Sequence, residues 1–154
     1  QDVIQSQNRQ TLQAVMDEAD RHIENSEIES AIHKYLSVLS NYELDSVKRR
    51  DIYSRLSRLY EGSGNYELAI TMQLNAVNFA TDSVTLMNEL AGICNGYIML
   101  GDYEKAKNIL ENATIFFESK GMPFQVVMAM GRIALIYSNL GQYYKSIETG
   151  KAAT

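Results

Sequence analysis

Helix breakers and cysteine are scarce in this chain: one cysteine, Cys94, one proline, Pro123, and nine glycines in 154 residues. A lone cysteine excludes an internal disulfide framework and a multi-cysteine zinc site. So few breakers point to a mostly helical chain. Long apolar runs are missing too. The longest, Leu90 to Leu100, holds Asn95 in its middle and falls far short of the ~20 residues a bilayer span needs. This excludes direct membrane insertion by the segment. No charged n-region followed by an apolar h-region is present. Nor is there a basic excess; the formal net charge of -5 argues against nonspecific nucleic-acid binding. What remains is ordinary for a globular protein: 45% hydrophobic and 21% charged residues, at the length of one domain with a sizeable core.

The chain opens on Gln1 rather than methionine, which predicts a processed or excised start. Ser146 to Thr154 keep helical register without a glycine-proline stop, which predicts a chain that continues.

Three segments align without gaps. Tyr60, Gly64-Asn65-Tyr66 and Ala69 match Tyr97, Gly101-Asp102-Tyr103 and Ala106, and both match Tyr137, Gly141-Gln142-Tyr143 and Ser146. The glycines step by 37 and 40 residues. Each part has a physical job. Glycine closes one helix in a left-handed conformation at no steric cost. The polar residue after it starts the next helix, with Asn65 and Asp102 expected as side-chain caps and Gln142 as a poorer one. The small residue lets the helices approach. Apolar stripes at spacings of three and four flank each turn, such as Leu86, Leu90, Ile93 and Tyr97, or Tyr103, Ala106, Leu110, Ala113 and Phe117. A degenerate copy precedes them. Ala31-Ile32 matches Ala69-Ile70, placing Ser26 at the glycine position and Ile28 at a tyrosine position, whereas Glu18 breaks the apolar pattern.

This spacing predicts eight helices at about 4–25, 27–40, 46–62, 66–80, 83–99, 103–119, 124–140 and 143–154. Asp45 or Ser46, and Asp82 or Ser83, are the expected N-caps.

The pattern resembles the tetratricopeptide repeat, a helix-turn-helix unit of roughly 34 residues. The resemblance covers residues 46 to 154 well, and Gly101-Asp102-Tyr103-Glu104-Lys105-Ala106 is close to the family consensus. The longer step is similar to the variant with extended helices, seen in bacterial regulators and in scaffolds that bind long peptides. The resemblance implies an all-α fold, with antiparallel hairpins stacked as a right-handed α-solenoid. It implies one repeat domain over residues 1–154, a fragment of a longer protein, with repeats at about 12–45 (degenerate), 46–83, 84–120 and 124–154.

No catalytic constellation stands out. Gly62-Ser63-Gly64 is a helix-ending turn with no strand before it, and no phosphate loop or paired-histidine zinc helix occurs. His22, at a tyrosine position of the repeat, is expected to pack at a helix junction, and His33 to lie on the surface. Cys94 is expected to be a buried, inert thiol. Gly92 and Gly96 flank it and permit close helix packing or leave room for a ligand. Asp17, Glu18, Asp20, Glu24, Glu27 and Glu29 are assigned to solvated faces. Met122, Met128 and Met130 read as core filling. The basic run Lys48-Arg49-Arg50 with Arg55 and Arg58 is assigned to local pairs, Asp51 with Arg55 and Arg58 with Glu61; an anionic peptide is the rival use of it. No cofactor, metal or nucleic acid is implied.

In the resembling family the first helix of each repeat lines the concave side. Carried over, this gives Asp51, Ser54, Arg55 and Arg58, then Asn88, Ala91, Gly92, Asn95 and Met99, then Met128, Gly131, Arg132, Leu135 and Asn139. Of these, Ser54, Arg55, Arg58, Asn88, Asn95, Met99, Met128, Arg132, Leu135 and Asn139 form the expected peptide-binding groove. Asn95 is its centre because an amide both donates and accepts. Some family members clamp a C-terminal carboxylate with a fixed Lys/Asn/Lys/Arg set. Gly92 and Met128 depart from that set, which argues against chaperone-type tail recognition. The expected function is therefore a non-enzymatic scaffold that binds a protein or peptide, as the sensing or regulatory part of a larger bacterial signalling protein. The alternative is a structural module that self-associates, or docks other domains, through its C-terminal helix.

Overall fold

A computed structural model describes residues 2–153, with side chains from Thr11 onward. Gln1 and Thr154, on which the expectations about the two ends fall, lie outside the described residues. Eight helices are present among the described residues: α1 (Asp2–Glu24), α2 (Ile28–Asn41), α3 (Ser46–Gly62), α4 (Tyr66–Val77), α5 (Ser83–Met99), α6 (Tyr103–Ser119), α7 (Pro123–Asn139) and α8 (Tyr143–Ala152). The described residues contain no strand.

The repeat glycines do the work their positions demand. Gly64, Gly101 and Gly141 have φ of 77°, 81° and 71°. At each corner the following amide reaches back over the turn: Asn65 N–H donates to the Tyr60 carbonyl, Asp102 to Tyr97 and Gln142 to Tyr137, each at 2.8 Å. The degenerate first repeat folds in the same way. Ser26 takes φ 63° and Glu27 N–H donates to the His22 carbonyl at 2.7 Å. A left-handed serine costs roughly 1–2 kcal/mol that glycine avoids, so surrounding packing holds this corner.

Two expected N-caps are present. Asp45 and Asp82 have extended backbones, with ψ of 165° and 168°, and their carboxylates accept from the amides of Lys48 and Thr85, each at 2.8 Å. Asn65 and Asp102 do not cap. Their ψ values of 67° and 53° swing the side chain away from the first turn, because their own N–H is committed to the preceding corner. Asp102 instead holds Lys105 at 2.9 Å. Helix α4 also stops three residues early, at Val77. Phe79 folds back to stack on Tyr53, ring centroids 5.9 Å apart, beneath Arg49.

Each helix packs on its neighbour in the chain, and α5 additionally meets α7. Contact mainly between successive helices, with ties only to the next hairpin, is the pattern of an α-solenoid. Its buried apolar residues are not continuous. Leu12, Ala19, Ile32, Tyr35, Val38, Ile52 and Leu56 join α1, α2 and α3. Cys94, Ile98, Leu110, Ala129, Ile133 and Ile136 join α5, α6 and α7, and Ala91, Ala113 and Phe117 extend that side. Between these cores, where α4 meets α5, lies Gln73, one of two buried polar residues among the described residues; the other, Ser57, is on α3.

Candidate binding groove

The seam between the cores is built from small residues and pinned polar ones. A Cβ on Gly96 would sit 2.5 Å from Ile70 Cγ1, and one on Gly92 would sit 2.9 Å from Gln73 Nε2. Both glycines therefore serve close packing of α5 on α4. Gln73 donates to Glu89 in a short hydrogen bond. Ser54 Oγ donates to the same carboxylate at 2.9 Å, and Arg50 Nε lies 3.6 Å from it. Glu89 thus ties α3, α4 and α5 together.

Above this floor a cavity of about 270 Å³ is lined by Ser54, Arg58, Glu61, Gln73, Asn88, Glu89, Gly92, Asn95 and Arg132. A second cavity, about 230 Å³, shares Asn88, Gly92 and Arg132 and adds Ala91, Phe117, Phe124, Gln125, Met128 and Ala129. Helices α3, α5 and α7 therefore contribute one wall, with a polar half beside an apolar half. Arg132 bridges them; its Nη1 donates to the Ala91 carbonyl at 3.1 Å. Burial pushes the Glu61 carboxyl above the ordinary glutamate value, opposed by a hydrogen bond from Asn95 and by the charges of Arg132 and Arg58.

Of the residues expected in the groove, Ser54, Arg58, Asn88, Asn95, Met128 and Arg132 line these two cavities. Met99, Leu135 and Asn139 are exposed and line neither. Arg55 points elsewhere: its Nη1 donates to Asp20 at 2.7 Å and to the Tyr35 hydroxyl at 2.9 Å. The expected Asp51–Arg55 pair is therefore not formed, and Asp51 holds its neighbour Arg50 at 2.8 Å instead. Tyr35 also donates to Asp20 at 2.5 Å; burial and the Asp20 hydrogen bond push its hydroxyl up to about 12. Asp20 is thus a tie between α1, α2 and α3 rather than a solvated acid. Arg58 makes no direct ion pair with Glu61 and acts on it only at longer range. His22 sits at its junction through polar contacts, with Glu27 and, at 3.9 Å, Glu18, because a short acidic neighbour across the corner offers the imidazole a partner. His33 is exposed. Cys94 is buried, its thiol pushed up to about 12 by burial and facing the Ala106 carbonyl at 3.6 Å. Met122 packs beside Phe117 and Ala91, whereas Met128 is exposed in the apolar half.

Glu61, Gln73, Glu89, Phe117, Phe124 and Gln125 were not expected in this wall. One of them carries a sequence signal. In the repeat alignment Gln73 occupies the position of Leu110, so a polar residue stands where the next repeat puts an apolar one.

With corners, hairpins and wall in place, comparison with known proteins is direct. The tetratricopeptide-repeat family model matches residues 51–82 and 129–154. The chain carries tetratricopeptide repeats. Solved structures of similar fold include the apo form of RapI, at TM-score 0.80 and 15% identity over 93% of this chain and 54% of that one. Aspartyl phosphate phosphatase F from Bacillus subtilis aligns at TM-score 0.82 and 16% identity, over 90% of this chain and 38% of that one. BtubC from P. vanneervenii aligns at TM-score 0.77 and 15% identity, over 92% and 61%. The chain thus spans about half the length of these neighbours, and the likeness is one of fold. No curated protein matches its sequence. No helix among the described residues is long and apolar enough to cross a membrane.

Proposed function

We propose that the chain is a non-enzymatic module that binds a protein or peptide segment in the wall made by α3, α5 and α7. In this reading the wall is the concave side of a single repeat unit with hairpins at 12–45, 46–83, 84–120 and 124–154. The carrying observation is the convergence of Arg58, Asn88, Asn95 and Arg132 over a floor whose own polar groups are already satisfied. An extended segment laid there would find amide and guanidinium donors beside an apolar recess. The module serves as a sensing or regulatory part of a larger bacterial signalling protein. Support for that role is the likeness to RapI and to aspartyl phosphate phosphatase F; fold alone does not assign it. The test is selection from displayed random dodecapeptides, followed by affinity measurement on Asn95→Ala. The selected peptides are expected to lose roughly tenfold or more in affinity; unchanged affinity removes the groove assignment.

A second reading uses α8. Tyr143, Tyr144 and Ile147 are 65%, 88% and 54% exposed, and no residue of α8 is buried. Self-association through this face predicts a dimer that Ile147→Glu dissociates in sedimentation equilibrium. A monomer at high concentration ends that reading.

A further inference from the structure

The two ends of the helix stack are unlike. In residues 11–45 eight acids outnumber two cations, Arg21 and Lys34, and among the described residues α1 and α2 expose no large apolar side chain. In residues 121–153 one acid, Glu148, stands against Arg132, Lys145 and Lys151, and Val127, Tyr143, Tyr144 and Ile147 are all exposed.

The repeat register shows what this second end is. A shift of forty residues, from Gly101 to Gly141, lays the α5–α6 hairpin on α7–α8. In the inner hairpin α7 covers Met87, Ala91, Tyr103 and Leu110. Met87 and Ala91 share a cluster with Met122 and Val126, and Tyr103 and Leu110 share one with Ala129, Ile133 and Ile136. The counterparts in the last hairpin are Val127, Gly131, Tyr143 and Gly150. Val127 is 42% exposed, and a Cβ on Gly131 or Gly150 would meet no atom within 4 Å. The outer side of α7–α8 therefore repeats a helix-covered face with no helix on it among the described residues.

We propose that a second copy of the chain docks on this end face, tail to tail about a two-fold axis, with the two α8 helices antiparallel and the acidic first hairpins pointing outward. The inference rests on the α8 reading above and names its partner and its register.

Elimination selects the mate. The first hairpin would bring carboxylates onto Val127 and Ile147, and an unpaired buried charge is costly. The exposed large apolar residues of α3 to α6, such as Leu74, Met99 and Ile115, stand at most two to a helix and offer no row. That leaves the face itself, and a surface that pairs with itself does so about a two-fold axis. Charge agrees, because tail-to-tail docking sets the two acidic hairpins as far apart as the stack allows. Size agrees as well. Tyr143, Ser146, Ile147 and Gly150 follow helical spacing along one side of α8. With the axis between Ser146 and Ile147, antiparallel pairing sets Tyr143 opposite Gly150 of the second copy and Ile147 opposite its Ser146. Each large side chain meets a small residue, and Tyr143 enters the space open over Gly150. At their exposures Tyr143 and the marginal Tyr144 alone offer roughly 300 Å² of the ~800 Å² that each partner gives a stable dimer.

The test is sedimentation equilibrium of the full chain over a wide concentration range. Wild type is expected to follow a monomer–dimer equilibrium. Ile147→Glu and Gly150→Leu are expected to weaken the dimer roughly tenfold or more, the first by burying a charge and the second by filling the space Tyr143 needs. Ile115→Glu, at an exposed apolar residue of α6 outside the face, is expected to change nothing. Register is read with a short bis-maleimide: mixed Tyr143→Cys and Gly150→Cys chains are expected to cross-link in higher yield than either chain alone. Helical circular dichroism is checked for each variant. A monomer at every concentration overturns this docking and the α8 reading together, as does a dimer indifferent to Ile147→Glu. Assemblies that grow beyond a dimer overturn the two-fold closure. A dimer that Ile147→Glu dissociates and Gly150→Leu does not, or that cross-links equally in unmixed chains, overturns this register and keeps the α8 reading.

Discussion

Tyr35, Ile52 and Leu56 meet where the first hairpin joins the second; Gln73, Glu89, Gly92 and Gly96 meet where the second joins the third. The same helix-turn-helix unit closes both junctions, yet one buries large apolar side chains and the other buries hydrogen bonds and bare backbone. The apolar junction gains from area removed from water. The polar seam gains less per residue, since a buried hydrogen bond largely replaces one made to water. It is nonetheless complete: among the described residues no buried side-chain nitrogen or oxygen lacks a partner. A satisfied polar seam fixes geometry rather than adding stability. The lesson is that the cavity lined by Arg58, Asn95 and Arg132 lies over the junction where apolar packing was given up.

Four measurements break or sharpen this contrast. The largest effect is expected at the apolar junction. Leu56 is fully buried, and Leu56→Ala is expected to lose roughly 2–5 kcal/mol in urea unfolding. Next comes the seam. Gly96→Ala must push Ile70 Cγ1 from 2.5 Å and is expected to cost about 1–3 kcal/mol by overpacking. Gly131→Ala on α7, with nothing within 4 Å, is expected to be neutral or to stabilise by up to about 1 kcal/mol. Equal effects at the two glycines would mean that α5 does not sit tightly on α4. A third, smaller effect is alkaline. The Tyr35 hydroxyl is raised to about 12 from 10, so the unfolded chain ionises first and stability falls as pH rises through that window. Tyr35→Phe is expected to flatten that part of the curve. The smallest is acidic. Glu61 is raised by burial, so its contribution is most favourable below the ordinary glutamate range and is lost as pH rises through its folded value. The urea midpoint at pH 4, taken relative to that at pH 7, is expected to be slightly lower in Glu61→Gln than in wild type.

The corners were the most legible part of the molecule, because a left-handed turn demands glycine and the spacing of Gly64, Gly101 and Gly141 repeats that demand. Even the Ser26 corner was marked by register alone. Helix faces followed from periodicity; the wall residues Ser54, Arg58, Asn88, Asn95, Met128 and Arg132 followed from what the resemblance implies about the first helix of each repeat. Side-chain partners were not legible. The i,i+4 spacing of Asp51 and Arg55 suggested a local pair, but Asp20 and Tyr35, brought in from two other helices, compete more strongly for that guanidinium. Asn65 and Asp102 have capping chemistry, yet the preceding turn fixes their backbone in a shape that cannot cap. Glu89 carried no signal along its own helix, because its three donors come from α3 and α4. Such contacts depend on how hairpins stack, which periodicity along one helix does not encode.

In a stack whose units touch only their neighbours, cooperativity passes from junction to junction. The buried apolar clusters stop on either side of the α4–α5 seam. At that seam α1–α4 and α5–α8 are joined instead by the close approach at Gly92 and Gly96 and by the Glu89 tie. Arg58 stands on the first half, Arg132 on the second. A segment gripped by both would act as a suture across that seam, adding its binding free energy to the junction between the two halves.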